Sequence, residues 1–99
     1  MSRSQPHPGA RKLRYYLYRQ LQFLRKGLIE EALFLLDPIE KIISEISHEK
    51  INDRISLEIL EHCSRLNEEI VLRFETEKFA LKKGMFQAEV ERKIREFLS

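Results

Sequence analysis

The sequence predicts an all-α fold: an antiparallel helical hairpin or three-to-four-helix bundle with long first and last helices. Three observations predict it. Leu17, Leu21, Leu24, Leu28, Ala32, Leu35, Ile39, Ile42 and Ile46 follow one another at steps of four or three, the spacing of one face of an α-helix. Glu, Lys, Arg, Leu and Ile dominate a chain with only three Gly and three Pro, so turn formers are scarce. Asp37-Pro38, the only Asp-Pro of the chain, sets a helix-start signal inside the long apolar pattern. At 99 residues there is enough chain for one domain and too little for two.

Residues 1–9 contain Pro6, Pro8 and Gly9 and read as a flexible tail, leaving 10–99 as a single helical domain. The first helix is expected from about Ala10 to about Leu36. Arg25-Lys26-Gly27 resembles a helix stop, but the apolar phase continues through Leu28 and Ala32. Gly27 is therefore read as tolerated inside the helix, at a cost of about 1 kcal/mol relative to Ala. At Asp37-Pro38-Ile39-Glu40 the chain bends or restarts: Asp can cap, Pro suits a first helical turn, and Glu completes a capping box. Pro38 would clash with the carbonyl of Phe34 in a straight helix.

Ser47 to Asp53 is polar apart from Ile51 and reads as the reversing turn, with Asn52-Asp53 as capping types. The next helix is expected from near Asp53 to about Lys83, with Ile59, Cys63, Leu66, Ile70, Phe74, Leu81 and Met85 as its stripe. Glu77-Lys78 is a weak point, and Leu72, Phe79 and Phe86 add a second apolar face. Lys82-Lys83-Gly84 repeats the Arg25-Lys26-Gly27 pattern and is either a kink or a stop. The final stretch is again helical, with Val90, Ile94 and Phe97 on one side. A helix unbroken from Asp53 to Leu98 would span roughly 70 Å and need a partner along much of its length.

The net charge of +2 hides an asymmetry. Residues 3–26 carry Arg3, Arg11, Lys12, Arg14, Arg19, Arg25 and Lys26 and no acid, whereas acids predominate from Glu30 to Glu77. Such a basic segment invites a polyanion or an acidic partner surface. The single Cys63 excludes an intramolecular disulfide and fits a reducing compartment, the cytoplasm. No apolar run reaches 18 residues, so no membrane span is expected. The N-terminus has no secretory hydrophobic core; its basic, Ser-containing, acid-free make-up has a faint mitochondrial-transit character, and the frayed-tail reading is preferred.

Chemistry-bearing groups are sparse. His7, His48, His62 and Cys63 include no pair at helical ligand spacing, so no metal is expected. Cys63 lies on the apolar stripe as a small core residue. The acids are spread over helix surfaces without the two Glu-x-x-His pairs of a di-iron bundle (Glu45-Ile46-Ser47-His48 is the one instance), and neither a phosphate-binding Gly loop nor a Ser-His-Asp pattern is present. Neither catalysis nor a cofactor is expected.

Two surfaces are candidates for binding. An apolar groove between the first and last long helices, formed by Leu17, Leu21, Leu24 and Leu28 against Phe79, Phe86, Val90 and Phe97, would hold an amphipathic partner segment. A second copy of the chain, as a homodimer, would fill it equally well. The same residues taken singly are as well explained as core. The alternative is a small nucleic-acid-binding regulator using Arg11, Lys12, Arg14, Tyr15, Tyr18 and Arg19, whose cations would neutralise phosphates while the tyrosines stack on bases. Protein contact is preferred, since Tyr and Arg also dominate protein–protein hot spots.

Leu17-Tyr18-Arg19 spells the tripeptide of the small mitochondrial LYR proteins, but that family's downstream run of Arg and Tyr with a later Phe is not at its place. A broader likeness covers about residues 13–98. A long first helix with KG-x-x-EEAL-x-L, an isoleucine-rich continuation and a long final helix resembles the flagellar and type III export chaperones, most of all the filament-cap chaperone family. Leu24, Gly27, Ala32, Leu35 and Ile39 carry the pattern, with Leu28-Ile29 after the KG pair in place of an aromatic. The resemblance implies a small non-enzymatic helical bundle that holds an aggregation-prone export substrate in an apolar groove.

Overall fold

The first helix, α1, spans Pro8–Arg25 in the computed structural model, which describes residues 7–46, 51–75 and 81–98, with the backbone alone for 74–75 and 81–89. It starts two residues before Ala10, and the reason is local. Pro8 occupies the first turn, where a missing N–H costs nothing, and the His7 Nδ1 accepts the Gly9 N–H at 2.9 Å. The His7 N–H in turn donates to Ser56 Oγ at 2.7 Å. His7, Pro8 and Gly9 thus belong to the helical unit and not to a flexible tail.

α1 ends at Arg25, and Gly27 is the stop. Its φ of +78° is the left-handed conformation that favours glycine. The Gly27 N–H donates to the Leu24 carbonyl at 3.0 Å and the Leu28 N–H to the Phe23 carbonyl at 2.8 Å, the paired bonds of a Schellman cap. The expectation that helix one runs through Gly27 to Leu36 is corrected accordingly.

A short helix α2, Ile29–Phe34, and then α3, Leu36–Ile46, form the returning arm. They are divided at Leu35, two residues before the expected Asp37-Pro38 boundary. Pro38 lies in the first turn of α3 and offers no N–H to the Phe34 carbonyl, so the hydrogen-bond ladder must be rearranged upstream. The Ala32 carbonyl takes up the slack: it accepts the Leu35 N–H at 3.2 Å and the amide of buried Gln20 at 3.1 Å. Gln20 thereby ties α1 to the break.

α4, Arg54–Glu75, starts directly after Asp53, near the expected position, but does not run on to Lys83, because residues 81–83 belong to the next helix. The Asp53 carboxylate accepts the Ser56 N–H at 2.9 Å, and that bond, followed by the contribution of the Ser56 side chain, holds its pKa below the ordinary value. α5, Leu81–Leu98, contains Gly84 within its helical backbone, so Gly84 is neither stop nor break; Glu77-Lys78 and Phe79 lie outside the described residues.

α1 packs against α2, α3 and α4, and α5 packs mainly on α4 with a smaller contact to α3. His7 meets Ser56 at one end and Arg25 pairs with Glu69 at the other, so α1 and α4 run side by side in the same direction. α3 returns antiparallel to α1, bringing Ile46 against Gly9. Asn67 meets Glu91 across α4 and α5. Asn67 lies ~12 Å before the end of α4 and Glu91 ~15 Å after the start of α5, which only an antiparallel pair allows. The result is an up-down-up-down bundle of 50 × 22 × 19 Å, shorter than one unbroken final helix would require. Ala10, Leu13, Leu17, Leu21, Ala32, Ile39, Ile46, Leu60, Cys63, Ile70 and Ile94 are central to a single core. No helix among the described residues is long and apolar enough to cross a membrane.

Candidate functional site

Leu17, Leu21 and Leu24 point from α1 into the core, and Val90 does the same from α5. These four residues do not line an open groove between the first and last helices, because α4 packs against both α1 and α5. Phe97 is half-buried against the same core. Phe79 lies outside the described residues, and Phe86 falls where only the α5 backbone is described. Of the expected groove residues whose side chains are among the described ones, only Leu28 is open, at 41% exposure, because the Schellman turn carries it out of the helical stripe.

The apolar surface that is exposed lies one step further along. Phe34 is 77% exposed, and with Leu33 and Leu36 it lines a shallow hollow whose polar rim is Glu30 and Asp37. The buried positions Ala32, Leu36, Ile39, Ile43 and Ile46 keep one helical phase through the break at Leu35, with Ala32 held beside Gln20, and Phe34 falls on the opposite, outer side. Neither Glu30 nor Asp37 has an ion-pair partner among the described residues. Phe34 is absent from the apolar stripe that marks the expected groove. Its signal is that a large aromatic stands off the apolar stripe, between Glu30-Glu31 and Asp37-Pro38.

A second hollow lies between α4 and α5, lined by Val71, Leu72, Glu68, Glu91 and Arg95, with Leu72 61% exposed. Its charges are already matched. Arg95 binds Glu91 at 3.0 Å and Glu68 at 3.2 Å, while Ser64 and buried Asn67 donate to Glu91 at 2.5 and 3.2 Å. This network fastens α5 to α4.

The basic residues are placed on the outer side of α1. Arg11, Lys12, Tyr15, Tyr18 and Arg19 are exposed and Arg14 is half-buried. Tyr15 meets Tyr16 edge to face with ring centroids 5.6 Å apart, and the Arg19 guanidinium lies over the Phe23 ring at 5.1 Å. Arg25 is already engaged with Glu69, which it shares with Arg73. Burial alone would raise the Glu69 pKa; hydrogen bonds and charge from these two arginines hold it below the ordinary value.

Among the described residues no three His, Cys, Asp or Glu side chains are grouped so as to hold a metal ion. Cys63 is buried between α1 and α4, its Sγ 4.0 Å from the Ala10 carbonyl oxygen, and desolvation pushes its pKa up to about 12. A thiol so protonated and enclosed is packing, not a nucleophile. Comparison with protein-family models, with curated proteins and with solved structures finds no match.

Proposed function

We propose that this chain is a non-enzymatic protein-binding module, a chaperone or adaptor, that holds an amphipathic segment of a partner at the α2–α3 corner. The observation that carries this reading is Phe34: a large apolar side chain left open beside Leu33 and Leu36, between two carboxylates without an ion pair among the described residues. Covering such a side chain contributes about 2 kcal/mol, and aromatic anchors of this kind dominate binding energy at interfaces. The acidic rim selects an occupant with Lys or Arg beside its apolar face. That chemistry fits the export-chaperone likeness of the sequence, in which a small bundle shields an aggregation-prone helix.

The test is a titration with a labelled amphipathic peptide carrying leucines on one face and arginines on the other, beside a matched peptide with glutamates instead. The basic peptide is expected to bind more tightly, and Phe34→Asp to weaken it by on the order of tenfold or more. Because Phe34 is exposed, the same substitution should change stability by no more than about 0.5 kcal/mol. Equal binding of the acidic peptide, or indifference to Phe34→Asp, would overturn the reading.

A further inference from the structure

We propose that the outer face of α1 is a second binding surface, separate from the α2–α3 corner, whose ligand is single-stranded nucleic acid. Four exposed cations, Arg11, Lys12, Arg19 and Lys26, lie along it, and none has an ion-pair partner among the described residues. Residues 3–26 contain no acid. Two carboxylates stand at the edges of this face: Glu58 of α4, which shares a hollow with Arg11 and Arg14 and is itself paired with Arg54 at 3.3 Å, and Glu45 of α3, which shares one with Lys12. From Arg11 to Lys26 the face runs ~22 Å, long enough to follow the backbone of several nucleotides.

Charge alone would suit any polyanion; the tyrosines narrow the choice. Tyr15 and Tyr18 are 59% and 47% exposed and fall between the cations at helical positions four and seven after Arg11. The edge-to-face contact of Tyr15 with Tyr16 leaves the faces of one ring clear of the other. Exposed rings interleaved with cations are what base stacking over a neutralised backbone requires. A lipid surface fits less well, because the exposed part of α1 presents no aliphatic side chain to insert.

All three tyrosines of the chain lie at positions 15–18 and Trp is absent, so intrinsic tyrosine fluorescence comes from α1 alone, with Tyr15 and Tyr18 on this face and Tyr16 half-buried against the core. The experiment titrates the full chain with a short oligothymidylate, with heparin, and with poly-glutamate, across a salt series. The oligonucleotide is expected to bind in about the micromolar range at low salt and to quench the tyrosines. Its log–log salt slope should be about −3, for four neutralised phosphates at ~0.7 each. Replacing Arg11, Lys12 and Arg19 together by Gln should flatten that slope by about 2. Tyr15→Ser with Tyr18→Ser should weaken oligonucleotide binding by on the order of tenfold and leave heparin binding unchanged. The wild-type slope and quenching decide the matter even if a variant folds poorly. Absence of binding at low salt, oligonucleotide binding without quenching, or poly-glutamate bound as tightly as the oligonucleotide would overturn the proposal; the last result would make this face a reader of acidic protein segments.

Discussion

Gly9 and Cys63 show how tightly the upper part of the bundle is fitted. A Cβ added at Gly9 would lie 2.3 Å from Cγ2 of Ile46, a buried and β-branched side chain with little freedom to move aside. Gly9→Ala is therefore expected to destabilise the fold by about 1–3 kcal/mol through overpacking, read as a lower urea midpoint with an unchanged slope. An unchanged midpoint would mean that α1 and α3 do not approach so closely. Cys63 gives a pH signature. Its folded pKa is raised from 9.0 to about 12, so its contribution is fully present below pH 9 and is lost as pH rises toward 12, where the unfolded thiol ionises and the folded one does not. Unfolding followed against pH should show stability falling through that window, and Cys63→Ala should flatten the fall. At neutral pH a thiol reagent should react only at the rate of opening.

At the scale of elements, the joints decide the fold. Glu91 accepts from Ser64, Asn67 and Arg95 at once, and truncating it leaves two polar groups of α4 without that partner. Glu91→Ala is expected to cost about 1–3 kcal/mol and to raise amide exchange in α5 before α1 or α4. Uniform loss of protection across the bundle would contradict a separately fastened α5. The helices themselves were legible in the sequence because apolar spacing reports which side of each helix is buried. Their ends were less so. The apolar phase runs on from Leu24 through Ala32 although α1 stops at Arg25, because α2 packs on the same core after the turn. Periodicity records orientation, not continuity, and the local stop at Arg25-Lys26-Gly27 was the better guide. The same reasoning explains the site. An apolar stripe says that Leu17, Leu21, Leu24 and Val90 are covered, not what covers them, and here the cover is the chain itself. Phe34 stands off that stripe in the sequence, but periodicity does not say whether another element covers it; in the fold it stays 77% exposed.

For the whole molecule, the two exposed surfaces are of opposite character. The outer side of α1 is basic and tyrosine-rich, while the α2–α3 arm that follows it carries Glu30, Glu31, Asp37, Glu40 and Glu45 against a single Lys41. One bundle thus offers a cationic face and an acid-rimmed apolar corner, and ligands of opposite charge would be sorted between them. The α2–α3 corner is proposed to hold a basic amphipathic segment. Amide chemical-shift mapping of the 11.9 kDa chain during titration with the leucine–arginine peptide tests it most directly. Shifts concentrated over residues 28–40, and abolished by Phe34→Asp, are the expected result. Shifts centred on α1 or on the α4–α5 hollow, with 28–40 unmoved, would contradict the claim.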